Sequence, residues 1–92
     1  MGMRTPWGES QSVETVVPGI VFVSTASHGG YRVSKKLLDT MPEHLRSKDG
    51  WYEEDCEACK VVLAFPWAFD ADKIVRALTS YNHWFKKEKQ HA

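Results

Sequence analysis

The residues best equipped for chemistry stand together at Ser24, Thr25, Ser27 and His28, just ahead of Gly29 and Gly30. A histidine beside two glycines is sterically open, and imidazole changes charge near neutral pH. A hydroxyl becomes a nucleophile when such a base takes its proton. His28 as base and Ser27 as nucleophile are therefore candidates. Cys56 is a second candidate nucleophile, with Glu54 or Asp55 as the orienting carboxylate. These three roles, base, nucleophile and orienting carboxylate, would describe a small hydrolase or transferase. Two features weigh against it. No G-x-S-x-G elbow is present, and adjacency in sequence does not create Ser-to-imidazole geometry. Cys56 is flanked by Glu53, Glu54, Asp55 and Glu57, whose charges oppose thiolate formation. No catalytic set is assigned.

Metal chemistry has little to stand on. Cys56-x-x-Cys59 with His28 and His44 offers two sulfurs and two nitrogens. A lone C-x-x-C without a second paired motif is weak support for zinc. The acids at 53–57 lack the central glycine and terminal glutamate of an EF-hand loop. No metal and no cofactor is expected.

Recognition has better materials. Trp7, Trp51, Tyr52 and Arg32 are residue types that anchor protein interfaces. Residues 31–48 are net basic, through Arg32, Lys35, Lys36, Arg46 and Lys48, and residues 49–60 are net acidic. Either patch could steer an encounter. The expected binding residues are Trp7, His28, Arg32, Trp51, Tyr52, Glu53, Glu54 and Asp55. Lysine plus arginine equals aspartate plus glutamate, at 12 each. With neither a helix-turn-helix nor an RNP-like signature, this argues against direct nucleic-acid binding.

The elements that must position these residues follow from periodicity. The 92 residues suit a single domain, 1–92. "MGMRTPWGES" reads as an extended arm over 1–10, anchored by Trp7. Ser10 or Ser12 suits the cap of one helical turn through Val16, ended by Pro18-Gly19. "GIVFVSTAS" is β-branched and aromatic, as a strand requires. "HGG" supplies a turn and "YRVS" a return strand, so a β-hairpin spans about 19–34. Ser34 caps "KKLLDTM", and Pro42 opens a second helical piece. The acids at 53–55 suit a helix first turn, predicting a helix from about Tyr52 to Ala64. Asp70 caps a last helix whose apolar face is Ile74, Val75, Leu78, Tyr81 and Phe85, with Trp84 beside it. The tail 87–92 is expected to fray. The fold class is α+β, a small antiparallel hairpin or sheet covered by three to four helices. No apolar run approaches the roughly 20 residues of a membrane helix, and the N-terminus lacks a secretory h-region. The expected location is the cytoplasm.

Three blocks, "TPWGESQ" (5–11), "PGIVFVSTASHGGYRVS" (18–34) and "GWYEEDCE" (50–57), carry a resemblance. The chain resembles a small domain of unknown function that recurs in phage, plasmid and other mobile-element proteins of bacteria. The resemblance implies no established activity. It implies a bacterial host cell as the setting. There, small accessory proteins often disarm defences such as CRISPR–Cas or restriction. The expected function is stoichiometric binding to a bacterial host protein or ribonucleoprotein complex, with no membrane partner.

Overall fold

The computed structural model describes residues 4–86. Four strands form its antiparallel sheet: β3 (Ser12–Val17), β4 (Ile20–Ser24), β5 (Gly29–Val33) and β6 (Trp51–Glu53), in that spatial order. Ahead of them β1 (Arg4–Thr5) and β2 (Gly8–Glu9) pair as a separate small hairpin. The helices are α1 (Lys35–Leu38), α2 (Ala58–Ala64) and α3 (Ala71–Tyr81). Short 3₁₀ turns at Glu43–Leu45 and Pro66–Ala68 join them, and α3 runs on into a π turn at Asn82–Lys86. The protein is an α+β fold, with the helices gathered on one face of the sheet.

Strand alternation sorts the sheet residues into two sets. Ile20 pairs with Val33, and Phe22 with Tyr31, which pairs in turn with Tyr52. This row faces the helices. With Leu38, Met41, Leu45, Val61 and Phe65 it forms the main core. Val21, Val23, Gly30, Arg32, Trp51 and Glu53 occupy the alternate positions and face the other way. A smaller cluster of Cys59, Val62 and Ala77, with Ile74, Tyr81 and Phe85 packed against it, joins α2 to α3.

Two caps follow the sequence rules. The Ser34 hydroxyl accepts from Leu37 N at the start of α1, and the Asp70 carboxylate accepts from Lys73 N at 2.9 Å at the start of α3. Each occupies a backbone donor that has no partner inside the helix.

Four expectations are corrected. The segment after Ser10 is strand β3, not a helical turn. Val13 to Val17 find partners along β4, through a bulge between Thr15 and Val17. The predicted helix 52–64 divides. Trp51–Glu53 is strand β6, the chain turns at 54–57, and the helix starts at Ala58. Pairing Tyr31 with Tyr52 buries two aromatics, which outweighs the helix preference of the acidic run. The β4–β5 turn is not at His28-Gly29-Gly30. It is Thr25 to His28, closed by Thr25 N donating to His28 O at 2.7 Å, and both glycines lie in β5. On α3, Val75 and Leu78 are exposed at 61% and 49%. The contact stripe runs through Ile74, Ala77 and Tyr81, and Val75 lies about 100° round the helix from Ile74. The expected frayed tail, 87–92, lies outside the described residues.

Candidate functional site

The face of the sheet turned away from the helices carries most of the expected binding residues. Its only described cover is the β1–β2 hairpin. The Thr5 hydroxyl donates to Gly8 O and accepts from Trp7 N at 3.0 Å, which holds the tip of that hairpin. Trp7 then reaches across to Gly30. A Cβ at Gly30 would collide with the Trp7 ring and the Tyr52 carbonyl. Glycine is needed here for close approach, since Gly29 and Gly30 do not take positive φ. Trp7 meets Trp51 edge to face, with ring centroids 5.5 Å apart. The Arg32 guanidinium lies over the Trp51 ring at 5.0 Å. The result is a half-buried tryptophan pair bordered by an exposed arginine.

Next along the same face, Glu53 reaches the imidazole of His28, Nδ1 to Oε2 at 3.3 Å. The long-range pairing of β5 with β6 brings them together. His28 therefore has an acidic neighbour, and it is Glu53 rather than Glu54 or Asp55. Behind the turn, Ser24, Thr25, Ser27, His28, Glu54 and Asp55 line an open hollow of about 320 Å³.

A family model described as Domain of unknown function (DUF7007) matches residues 1–91. The chain belongs to this family. No curated protein and no solved structure matches it.

In this DUF7007 chain the candidate nucleophiles are poorly activated. The Thr25 hydroxyl is held within its turn, donating to His28 O and accepting from His28 N. The Ser24 hydroxyl accepts from Ser12 at 3.0 Å. Ser27 is exposed and makes no hydrogen bond to His28. The Cys56 thiol is pushed up from its ordinary value, by burial first and then by the charges of Glu57, Glu53 and Asp55. Burial also raises the Cys59 thiol, partly opposed by a hydrogen bond with Ser80. Both thiols are thus held in the protonated form, which is the inert one. Among the described residues, no three His, Cys, Asp or Glu side chains converge as a metal centre would require. No described helix is long and apolar enough to cross a membrane.

Tyr52 is set apart from the other expected binding residues. It is wholly buried. Its hydroxyl donates to Leu45 O and accepts from Ser47 N, both at 2.8 Å. These bonds tie β6 to the chain that leads into it. Tyr52 is occupied inside the core and presents nothing to a partner. Tyr31 was not among the expected site residues. Its hydroxyl reaches a second concavity, between the sheet and the α2–α3 pair.

Proposed function

We propose that this protein is a non-enzymatic binding module that acts by occupying a surface of a bacterial host protein or ribonucleoprotein complex. The face made by Trp7, Trp51, Arg32, Glu53 and His28 is its contact surface. The reading rests above all on the Trp7–Trp51 pair with Arg32 stacked beside it. The helix-side core is complete without these side chains. Tryptophan and arginine are among the residue types that dominate the energy of protein interfaces. The adjoining His28–Glu53 pair would add a polar, charge-sensitive rim.

The resemblance to mobile-element domains supplies the setting. A phage or plasmid accessory protein in the bacterial cytoplasm would use such a surface to block a defence complex, CRISPR–Cas or restriction. The test is plating efficiency of a sensitive phage on strains that carry one such system and express this protein. Protection by the parent chain should be abolished by Trp51→Ala and by Arg32→Glu. Equal protection by both folded variants would remove this face from the reading. With a purified target, effect should saturate near one equivalent. Full effect at a hundredfold substoichiometric amount would point to catalysis instead.

The His28–Glu53 contact is the observation that favours the rival reading, a small hydrolase or transferase. A base with an orienting carboxylate is half of a nucleophilic site. His28→Gln separates the two readings. A catalyst loses turnover by orders of magnitude, whereas a binder keeps its anchors and most of its affinity.

A further inference from the structure

The larger concavity, about 560 Å³, opens on the helix-covered side of the sheet. It stands on the opposite face from Trp7 and Trp51 and does not rest on the reading above. Its floor is Phe22 and Tyr31, with Glu54 at one end, and its wall carries Asp70 and, from α3, Asp72, Lys73 and Arg76.

Two independent features point to a ligand. The first is Tyr31. Its ring is wedged edge-on between Phe22 and Phe69, at 5.1 and 5.7 Å, and the residue is only 6% exposed. Yet its hydroxyl bonds to no described residue, and it keeps contact with the open groove. The ring is buried while the hydroxyl stays open to the groove, so its hydrogen-bonding capacity is available to a ligand there. The second is the placement of Glu54. Its carboxylate lies over the α-carbon of Gly29 beside the Phe22 ring, in space that a Cβ at Gly29 would fill. Glu14, across β4 from Tyr31 in the same transverse row, adds a second carboxylate to that face. Glu54, Glu14, Lys73 and Arg76 form no ion pair with any described residue. The groove thus holds an acidic, aromatic corner and a wall on which Lys73 and Arg76 stand beside Asp70 and Asp72, and neither cation is ion-paired with a described residue.

We propose that this groove binds a ligand carrying an alkylammonium or guanidinium group at the Tyr31–Glu54 corner and a carboxylate toward Lys73 and Arg76. A cation beside an aromatic ring and a carboxylate is doubly favoured. The phenol oxygen accepts one N–H from the ligand. Burial, and then the charges of Glu54 and Glu14, hold the Tyr31 phenol above its ordinary value, so it remains a neutral group able to make that bond. The ligand class is a basic amino acid, either free or as the C-terminal residue of a chain.

The test is amide NMR of the intact chain titrated with L-arginine, agmatine and norleucine. Arginine should give saturable shifts at residues 29–31 and 54–59. Agmatine lacks the carboxylate and should bind about tenfold more weakly, and norleucine keeps the α-ammonium and carboxylate but lacks the side-chain cation and should give no saturable shift. Glu54→Gln and Tyr31→Phe should each weaken arginine by about tenfold or more, the usual scale for a lost hydrogen bond to a charged group. Gly29→Ala displaces the carboxylate without removing it and should weaken binding as well. A short peptide ending in arginine separates the sources. Binding tighter than free arginine marks a chain terminus, and equal or weaker binding marks the free amino acid. Absence of saturable shifts with arginine and peptide alike, norleucine binding as well as arginine, or unchanged affinity in folded Glu54→Gln would overturn the proposal.

Discussion

One sheet carries two faces that are held in different ways. On the helix side, Ile20, Tyr31, Val33 and Tyr52 are buried under α2 and the α1 segment, and the core continues to Phe65. On the other side, a hairpin of two-residue strands and one tryptophan provide the described cover. The first face has many redundant contacts. The second depends on fewer, the wholly buried Val23 and the contacts of Trp7 with Gly30 and Trp51. The comparison separates where stability resides from where a surface is available for recognition. Neighbours in sequence fall on opposite sides of that division, because side chains alternate along a strand. Trp51 faces out, Tyr52 faces in, and Glu53 faces out again.

Tyr52 gives the largest expected effect. Tyr52→Ala empties a wholly buried aromatic site and should cost about 3–5 kcal/mol. Urea unfolding measures it. Tyr52→Phe keeps the ring but leaves Leu45 O and Ser47 N without their partner, at about 1–3 kcal/mol. If Tyr52→Ala unfolded at nearly the parent midpoint, the helix-side face would not be the stabilising one and the contrast would fail.

Gly30→Val attacks the other face through its cover. The new side chain meets the Trp7 ring and the Tyr52 carbonyl, and overpacking of this kind costs about 1–3 kcal/mol. Trp7 should move into water, shifting tryptophan emission to the red. A destabilisation without that shift would mean that the backbone contact alone is responsible.

The same two glycines explain how much of the fold was legible. The strand over 20–24, its return, and the caps Ser34 and Asp70 follow from local chemistry and were readable. Gly29 and Gly30 look like a turn because turns are where glycine commonly serves. Their reason is non-local: Glu54 lies over one and Trp7 over the other. The Tyr52–Ala64 segment misled for a related reason. Three consecutive acids favour a helix start, yet its first residues are drawn into the sheet by pairing with β5. The candidate site divides in the same way. Trp7, Trp51, Arg32 and His28 were readable as residue types. That Glu53 is the partner of His28, and that Tyr52 points inward, depends on the β5–β6 register. Register follows from which face is buried and from the connection between strands, and β5 and β6 are joined through α1 and a 3₁₀ turn rather than by a tight turn that would fix it locally.

Trp51→Ala should separate the two faces most cleanly. It removes an edge-to-face aromatic contact and the Arg32 stack. Exposed interactions of these kinds contribute about 0.5–1.5 kcal/mol each. The unfolding midpoint should fall far less than in Tyr52→Ala, while binding to any host target should be lost. Equal losses of stability in the two variants would merge the two faces into a single core.

The smallest effect lies in alkaline solution and falls on the helix side. Cys56 and Cys59 are held above the ordinary thiol value of 9.0, and Tyr31 above the ordinary phenol value of 10.0. For each group the unfolded chain gives up its proton at lower pH than the folded chain does. The stability they contribute is therefore intact below pH 9 and declines as pH rises through the folded values. Urea midpoints measured at pH 8, 9.5 and 10.5 should fall in that order. Cys56→Ser should remove part of the decline between pH 9 and 10, and Tyr31→Phe part of the decline above 10. Iodoacetamide should alkylate Cys56 more slowly than a small free thiol at pH 8, since burial and then the neighbouring carboxylates disfavour the thiolate. The Trp7–Trp51 face has none of these groups. Trp51→Ala should therefore leave the shape of the pH profile unchanged while shifting it downward. A profile altered by Trp51→Ala would show that the two faces are coupled through the sheet rather than independent.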